Sequence, residues 1–157
     1  MQDGRKMREE KMLIVQLIPK PLWGVAGREA IGRGLWDKAR KRCYKEAEYR
    51  CEVCGGKGPK HPVEAHELYL FEDHKITCVG LIALCPDCHM SVHPGRCNCL
   101  GRDVYLRARK HFADVNWLTE QQAQEYYEAC FEEWRELSKI KVWETDFSWL
   151  ENYAKGN

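Results

Sequence analysis

A chain of 157 residues with 44% hydrophobic and 31% charged side chains has room for one compact domain with a modest core. No apolar run approaches the ~20 residues of a membrane-spanning helix, and the charged stretch Met1–Lys11 lacks the apolar centre of a signal peptide, so a cytoplasmic protein with no membrane partner is expected. The formal charge of +1 hides an asymmetry: from Thr119 to Asn157 nine acids face four bases, a balance of −5, which leaves +6 on residues 1–118 and makes the front portion the part suited to meeting phosphates.

Leu13–Ile18 reads as a short strand or an extended arm, stopped by Pro19 and Pro21. Glycines at 24, 27, 32 and 34 mark a loop-rich stretch. From Leu35 to about Tyr49 the pattern is helical, with Trp36, Ala39, Cys43 and Ala47 near one stripe. Lys38, Arg40, Lys41, Arg42 and Lys45 spread around the rest of it, as nucleic-acid contact candidates or simply as a solvated face. This helix delivers the chain into Cys51-Glu-Val-Cys54, and the following Gly55-Gly56 permits a tight turn that brings amides to the thiolates. Val63–Phe71 and Lys75–Leu84 read as two strands around a turn at Glu72-Asp73-His74.

Cys88–His93 reads as the start of a helix halted by Pro94-Gly95, and Asp103–Val115 as a helix with Val104, Ala108, Phe112 and Val115 on one side. Thr119-Glu-Gln-Gln122 has the form of a capping box, opening a helix whose stripe is Ala123, Tyr127, Cys130, Trp134 and Leu137. Tyr126, Tyr127, Phe131 and Trp134 read as core rather than as base-stacking platforms. An aromatic tail from Trp143 to Tyr153 is expected to pack back on the body. The fold class is α+β: a zinc-stapled β-hairpin plus helix, with flanking amino- and carboxy-terminal helices.

Nine cysteines is a high and odd number, and without a secretion signal it favours metal binding over a disulfide frame. Cys51, Cys54, Cys85 and Cys88 form two Cys-x-x-Cys pairs thirty residues apart, the ligand set of a closed structural zinc site. The alternatives for either pair are a disulfide or inert buried thiols. Cys43, Cys78 and Cys130 fall in apolar patterns and read as core. Cys97 and Cys99 read as loop thiols, with a second metal site as the alternative. His89 and His93 are four apart, so they share one helix face and can reach one ion.

Taken together, Cys51-x-x-Cys54, Ala65-His66 and Leu81-Ile-Ala-Leu84-Cys85-x-x-Cys88-His89-x-x-x-His93 resemble the HNH endonuclease family and its ββα-metal fold. The resemblance covers roughly Cys43 to Gly95, about a third of the chain. It divides a single domain, 1–157, into an HNH-like zinc core over 43–95 and a carboxy-terminal helical extension over 103–157. It implies that His66 is the general base, taking a proton from the water that attacks a phosphodiester, a role that an imidazole pKa of ~6.5 suits. It also implies a catalytic divalent metal, such as Mg or Mn, held by His89, His93 and the residue before the base.

That residue is Ala65, which cannot ligate, and Glu67, on the same side of the strand as position 65, is the expected substitute. Gly80 stands where the family's middle asparagine falls. The expected function is therefore a metal-dependent HNH-like endonuclease acting on nucleic acid, DNA favoured over RNA. The alternative, motivated by Ala65 and Gly80, is a catalytically inactive HNH-like zinc module that binds nucleic acid, a nucleotide or a protein partner. The carboxy-terminal helices are candidates for homo-oligomer formation.

Overall fold

A computed structural model describes residues 11–25 and 27–156; most of the charged stretch Met1–Lys11 lies outside the described residues. Residues 11–19 form an extended arm that joins no sheet. Leu13 and Val15 are buried while Met12 and Ile14 are exposed, so the arm has strand-like alternation. Side chains distant in sequence satisfy its backbone instead of a neighbouring strand. The Asn116 amide accepts from Leu13 N–H at 2.8 Å and donates to Leu13 C=O at 2.9 Å. Val15 N–H donates to the Tyr126 hydroxyl at 3.3 Å, and the Gln16 amide spans the N–H and C=O of Tyr69 at 2.9 and 2.6 Å.

A 3-10 turn at Lys20–Leu22 and a short helix α1 (Arg28–Ile31) lead into α2 (Arg33–Glu46). The latter ends before the expected Tyr49 because Glu48 and Tyr49 adopt positive φ, 55° and 57°, which no helix continues. Strands β1 (Glu64–Glu72) and β2 (Lys75–Leu84) form an antiparallel hairpin. Asp73 and His74 turn it, both at positive φ, the backbone a two-residue loop needs to match strand twist. The register pairs Leu68 with Gly80 and Tyr69 with Cys78, leaving Val79 as the extra residue of a bulge. A third strand β3 (Glu144–Asp146), not expected from the sequence, adds in parallel to the outer end of β2.

Five more helices follow the hairpin or close the chain: α3 (Pro86–Ser91), α4 (Pro94–Leu100), α5 (Arg102–Val115), α6 (Glu120–Leu137) and α7 (Ser148–Lys155). The helix expected over Cys88–His93 starts two residues earlier, with Pro86 in its first turn, and ends at Ser91. Pro94 then opens α4 as well as closing α3, because a missing N–H costs nothing at a first helical position. Cys97 and Cys99 consequently lie in a helix, not a loop. The capping box of α6 forms as expected: Thr119 Oγ1 accepts from Gln122 N–H at 3.1 Å, and Gln122 Oε1 accepts from Thr119 N–H at 2.9 Å. No described helix is long and apolar enough to cross a membrane.

One core cluster joins the arm, the cysteine pairs and the α5–α6 pair through Leu13, Val15, Leu84, Val92, Phe112 and Tyr127. A second packs α2 and α7 on the sheet through Ala39, Ile76, Phe147 and Leu150, so the aromatic tail does return to the body. Cys43 and Cys78 are buried as expected, and Cys130 is half-buried.

The arm is pinned by one buried amide, so Asn116→Ala should orphan Leu13 N–H and C=O and cost about 2–4 kcal/mol, read by chemical denaturation. A loss below about 0.5 kcal/mol would mean that water or a shifted arm replaces these bonds.

Candidate metal centres

The first centre is built by two backbone turns that meet at the base of the hairpin. After α2, Cys51 N–H donates to Gly56 C=O and Gly55 N–H to Cys51 C=O, both at 2.9 Å, closing a knuckle in which Gly55 takes φ +76°. Cys54 and Gly56 point their N–H groups at the sulfurs of Cys51 and Cys54, at 3.5 and 3.4 Å. Glu52 ties the knuckle to β2, its N–H donating to Ala83 C=O and its carboxylate accepting from Ala83 N–H at 2.7 Å. The second pair comes from the end of β2, where Cys85 caps α3 and Cys88 follows one turn in.

Sulfurs of Cys51, Cys54, Cys85 and Cys88 all lie within 4.8 Å of one another, and those of Cys54 and Cys85 are 3.6 Å apart. A tetrahedral ion with bonds of ~2.3 Å to sulfur requires edges of about 3.8 Å, so the four fit a structural metal site. Their acidities agree with that fit. The neighbouring thiols of Cys85 and Cys88 push Cys51 far down, while Cys51 in turn pushes Cys85 up to about 12 and Cys88 higher still. These opposed shifts are one effect: thiolates this close cannot share a site until a cation neutralises them. His111 Nε2 lies 3.2 Å from Cys88 Sγ, a partner that the sequence did not reveal.

The second centre gathers three imidazoles. His66 comes from near the start of β1, His89 from α3, and His93 from the residue before α4; one nitrogen of each lies within 4.8 Å of the others. His89 Nε2 and His93 Nε2 are 3.0 Å apart. His66 is 5% exposed, and both its ring nitrogens are buried without a hydrogen-bond partner, a costly state unless a ligand meets them. Burial, reinforced by His93 and His89, holds His66 well below the ordinary imidazole range. Burial likewise takes His93 down to about 4. Both rings are therefore neutral at pH 7, the form that ligates metal.

Glu64 orients this group. It lies two residues before His66 on the same face of β1 and accepts from His89 Nδ1 at 2.7 Å, which leaves His89 Nε2 free to face the centre. His61 Nε2 meets its other oxygen at 3.0 Å. Burial opposes ionisation of Glu64, yet the hydrogen bonds and charges of His89 and His61 keep it below the usual carboxylate range.

The expected ligand Glu67 does not join this group among the described residues. Alternation sends 65 and 67 away from the face that carries 64 and 66. Ala65 is buried with Cys43, Val63 and Ala83, so an acid there could not have reached the histidines either. Glu67 instead turns toward Gly27 and lines an open cleft of about 680 Å³ whose wall also includes His66 and His93. Burial raises its carboxyl above the ordinary range.

The cations of α2 are not brought to this cleft. Arg40 and Lys41 pair with Asp37, Arg42 pairs with Glu46 and lies over the Tyr153 ring, and Lys38 and Lys45 are solvent-exposed. Arg28 and Arg96 line it instead, with Trp23, Phe131 and Trp134. Cys99 is on the wall, whereas Cys97 is buried and donates to Met90 C=O at 3.2 Å; neither belongs to a metal-binding group among the described residues. Compared with models of known protein families, with curated proteins and with solved structures, the chain matches none.

Ion binding by such a four-thiolate site is worth about 10–16 kcal/mol in small zinc domains, comparable to the whole stability of a domain. Cys88→Ser or a strong chelator should therefore release one ion and abolish cooperative thermal unfolding of the hairpin region. A melt identical to that of the unmodified protein would show that the cysteines hold no stabilising ion.

Proposed function

We propose that the chain is a metal-dependent phosphodiester hydrolase of the HNH type, acting on nucleic acid with DNA favoured over RNA. Its scaffold would be a ββα-metal unit stapled by zinc, the ion that four tetrahedral thiolates suit best. The observation that carries this reading is the meeting of His66, His89 and His93 beside an open cleft that His66 and His93 line. Three imidazoles with an open side are the ligand pattern of reactive rather than structural sites.

The donor set fits a divalent ion, because one partnerless nitrogen of His66 and the facing Nε2 atoms of His89 and His93 would all be satisfied by one. Nitrogen donors favour Mn, Ni or Zn over Mg, which prefers oxygen. When bound, such an ion supplies Lewis-acid stabilisation of charge developing on a phosphate. The protein's own groups do the rest. Glu64 fixes the tautomer of His89 and thereby the direction of its lone pair. His66 serves as a ligand, which frees it from the role of base that the sequence resemblance implies. Glu67, one residue on and lining the same cleft, accepts the proton of the attacking water.

Cleavage of supercoiled plasmid with Mn, Ni, Zn or Mg, against a chelator control, tests the reading. His89→Ala and His66→Ala should lose both nicking and the second bound ion. Glu67→Gln should keep that ion and lose about 10²–10⁴-fold in rate. Retention of the ion by His66→Ala, with Glu67→Gln fully active, would return the base to His66. A folded, metal-loaded protein that cleaves neither plasmid nor oligonucleotide would leave the inactive binding module.

A further inference from the structure

The cleft that His66 and His93 line is also lined by the aromatic rings of Trp23, Phe131 and Trp134. Trp23 is 60% exposed, yet it is held in place: its ring stacks on Trp134 with centroids 6.2 Å apart and planes 21° apart. Both indole N–H groups donate to the same carbonyl, that of Ile18, at 2.8 and 3.0 Å. Their polar demands are thus met internally, and what the pair offers the cleft is rigid π surface. Cations rim this surface. Lys20 Nζ lies 5.2 Å from the Trp134 ring centroid, and Arg28 and Arg96 line the same cleft. Two acids lie there as well: Glu29, whose carboxylate is 3.8 Å from Arg28, and the half-buried Glu67.

A fixed aromatic platform, two guanidinium groups, and His66 and His93 of the candidate hydrolytic centre line one continuous space of about 680 Å³, within the range of small-ligand sites. Stacking recognises a flat ring, and the cations recognise the phosphates on either side of it. A duplex keeps its base faces inside the stack, where an indole cannot reach them. We infer that this cleft seats an unpaired nucleobase on Trp23, so that the nucleic acid bound is single-stranded or locally unpaired. The inference rests on the phosphodiesterase reading for the chemistry of the histidines, but its test needs no turnover.

The test is fluorescence anisotropy of a short fluorescein-labelled oligothymidylate, and of the same strand paired with oligoadenylate, titrated with full-length protein without added catalytic metal. The single strand should bind more tightly than the duplex. Trp23→Ala should weaken single-strand binding about tenfold, the cost of one stacking contact, while Trp23→Phe keeps most of it. Because Trp23 is mainly exposed, both variants should melt as the unmodified protein does. Equal or tighter duplex binding, or single-strand binding unchanged in a folded Trp23→Ala variant, would overturn the inference. Plasmid cleavage alongside that result would leave the hydrolase reading intact. Conversely, Trp23-dependent single-strand binding by a protein that cleaves nothing would support the base seat and sink the hydrolase.

Discussion

The convergence of four cysteine sulfurs is the constraint on which the rest depends. Cys51 and Cys54 come from a knuckle after α2, Cys85 and Cys88 from the junction of β2 and α3, and hydrogen bonds alone would bind these two turns weakly. Cross-linking them through one ion would fix where β2 ends and the direction in which α3 leaves it. That direction decides where His89 and His93 point, and the antiparallel register of β1 on β2 decides where His66 points. The histidine group is thus a geometric consequence of the cysteine group. The core follows the same anchor, since Cys51, Cys85 and Cys88 are packed with Leu84, Val92, Phe112 and Tyr127.

Two features keep the histidine centre polar inside an otherwise apolar junction. Glu64 binds His89 and His61 and so carries a charge that its surroundings compensate. His66 has no such partner, and a buried imidazole with two unmet nitrogens is hard to explain as packing alone. Burial keeps His66 and His93 neutral, so their lone pairs, together with the facing Nε2 of His89, suit a metal cation. The open side gives onto a cleft that mixes guanidinium groups with indole, the pairing of electrostatics and stacking that unpaired nucleic acid exploits.

Much of this was legible in the sequence where a local rule decides the outcome. The cysteine spacing, the hairpin with its turn at Asp73-His74, the capping box at Thr119 and the shared face of residues 64 and 66 all follow from spacing or backbone preference. Where long-range contacts decide, the sequence was silent. Whether Leu13–Ile18 is a strand or an arm depends on Asn116, Tyr126 and Tyr69, far along the chain. Strand β3 is three polar residues between Trp143 and Phe147, with no alternation of their own to mark them. Pro94 is equally a stop and a start, and only tertiary packing shows that it is both. Glu67 stands outside the histidine group because strand alternation turns it from the face that carries His66, and a motif position alone does not say which face the group will use. The aromatic wall pairs Trp23 with Trp134 across 111 positions, a meeting that no window of sequence contains.

The central claim is that His66, His89 and His93 hold one divalent ion apart from the cysteine site. X-ray absorption at the nickel edge of protein loaded with zinc and then nickel addresses it directly. The account predicts a nitrogen and oxygen shell with the multiple-scattering signature of imidazole, no sulfur, and a weaker imidazole signature after His66→Ala. A sulfur-containing shell, or an imidazole signature unchanged by His66→Ala, would contradict it.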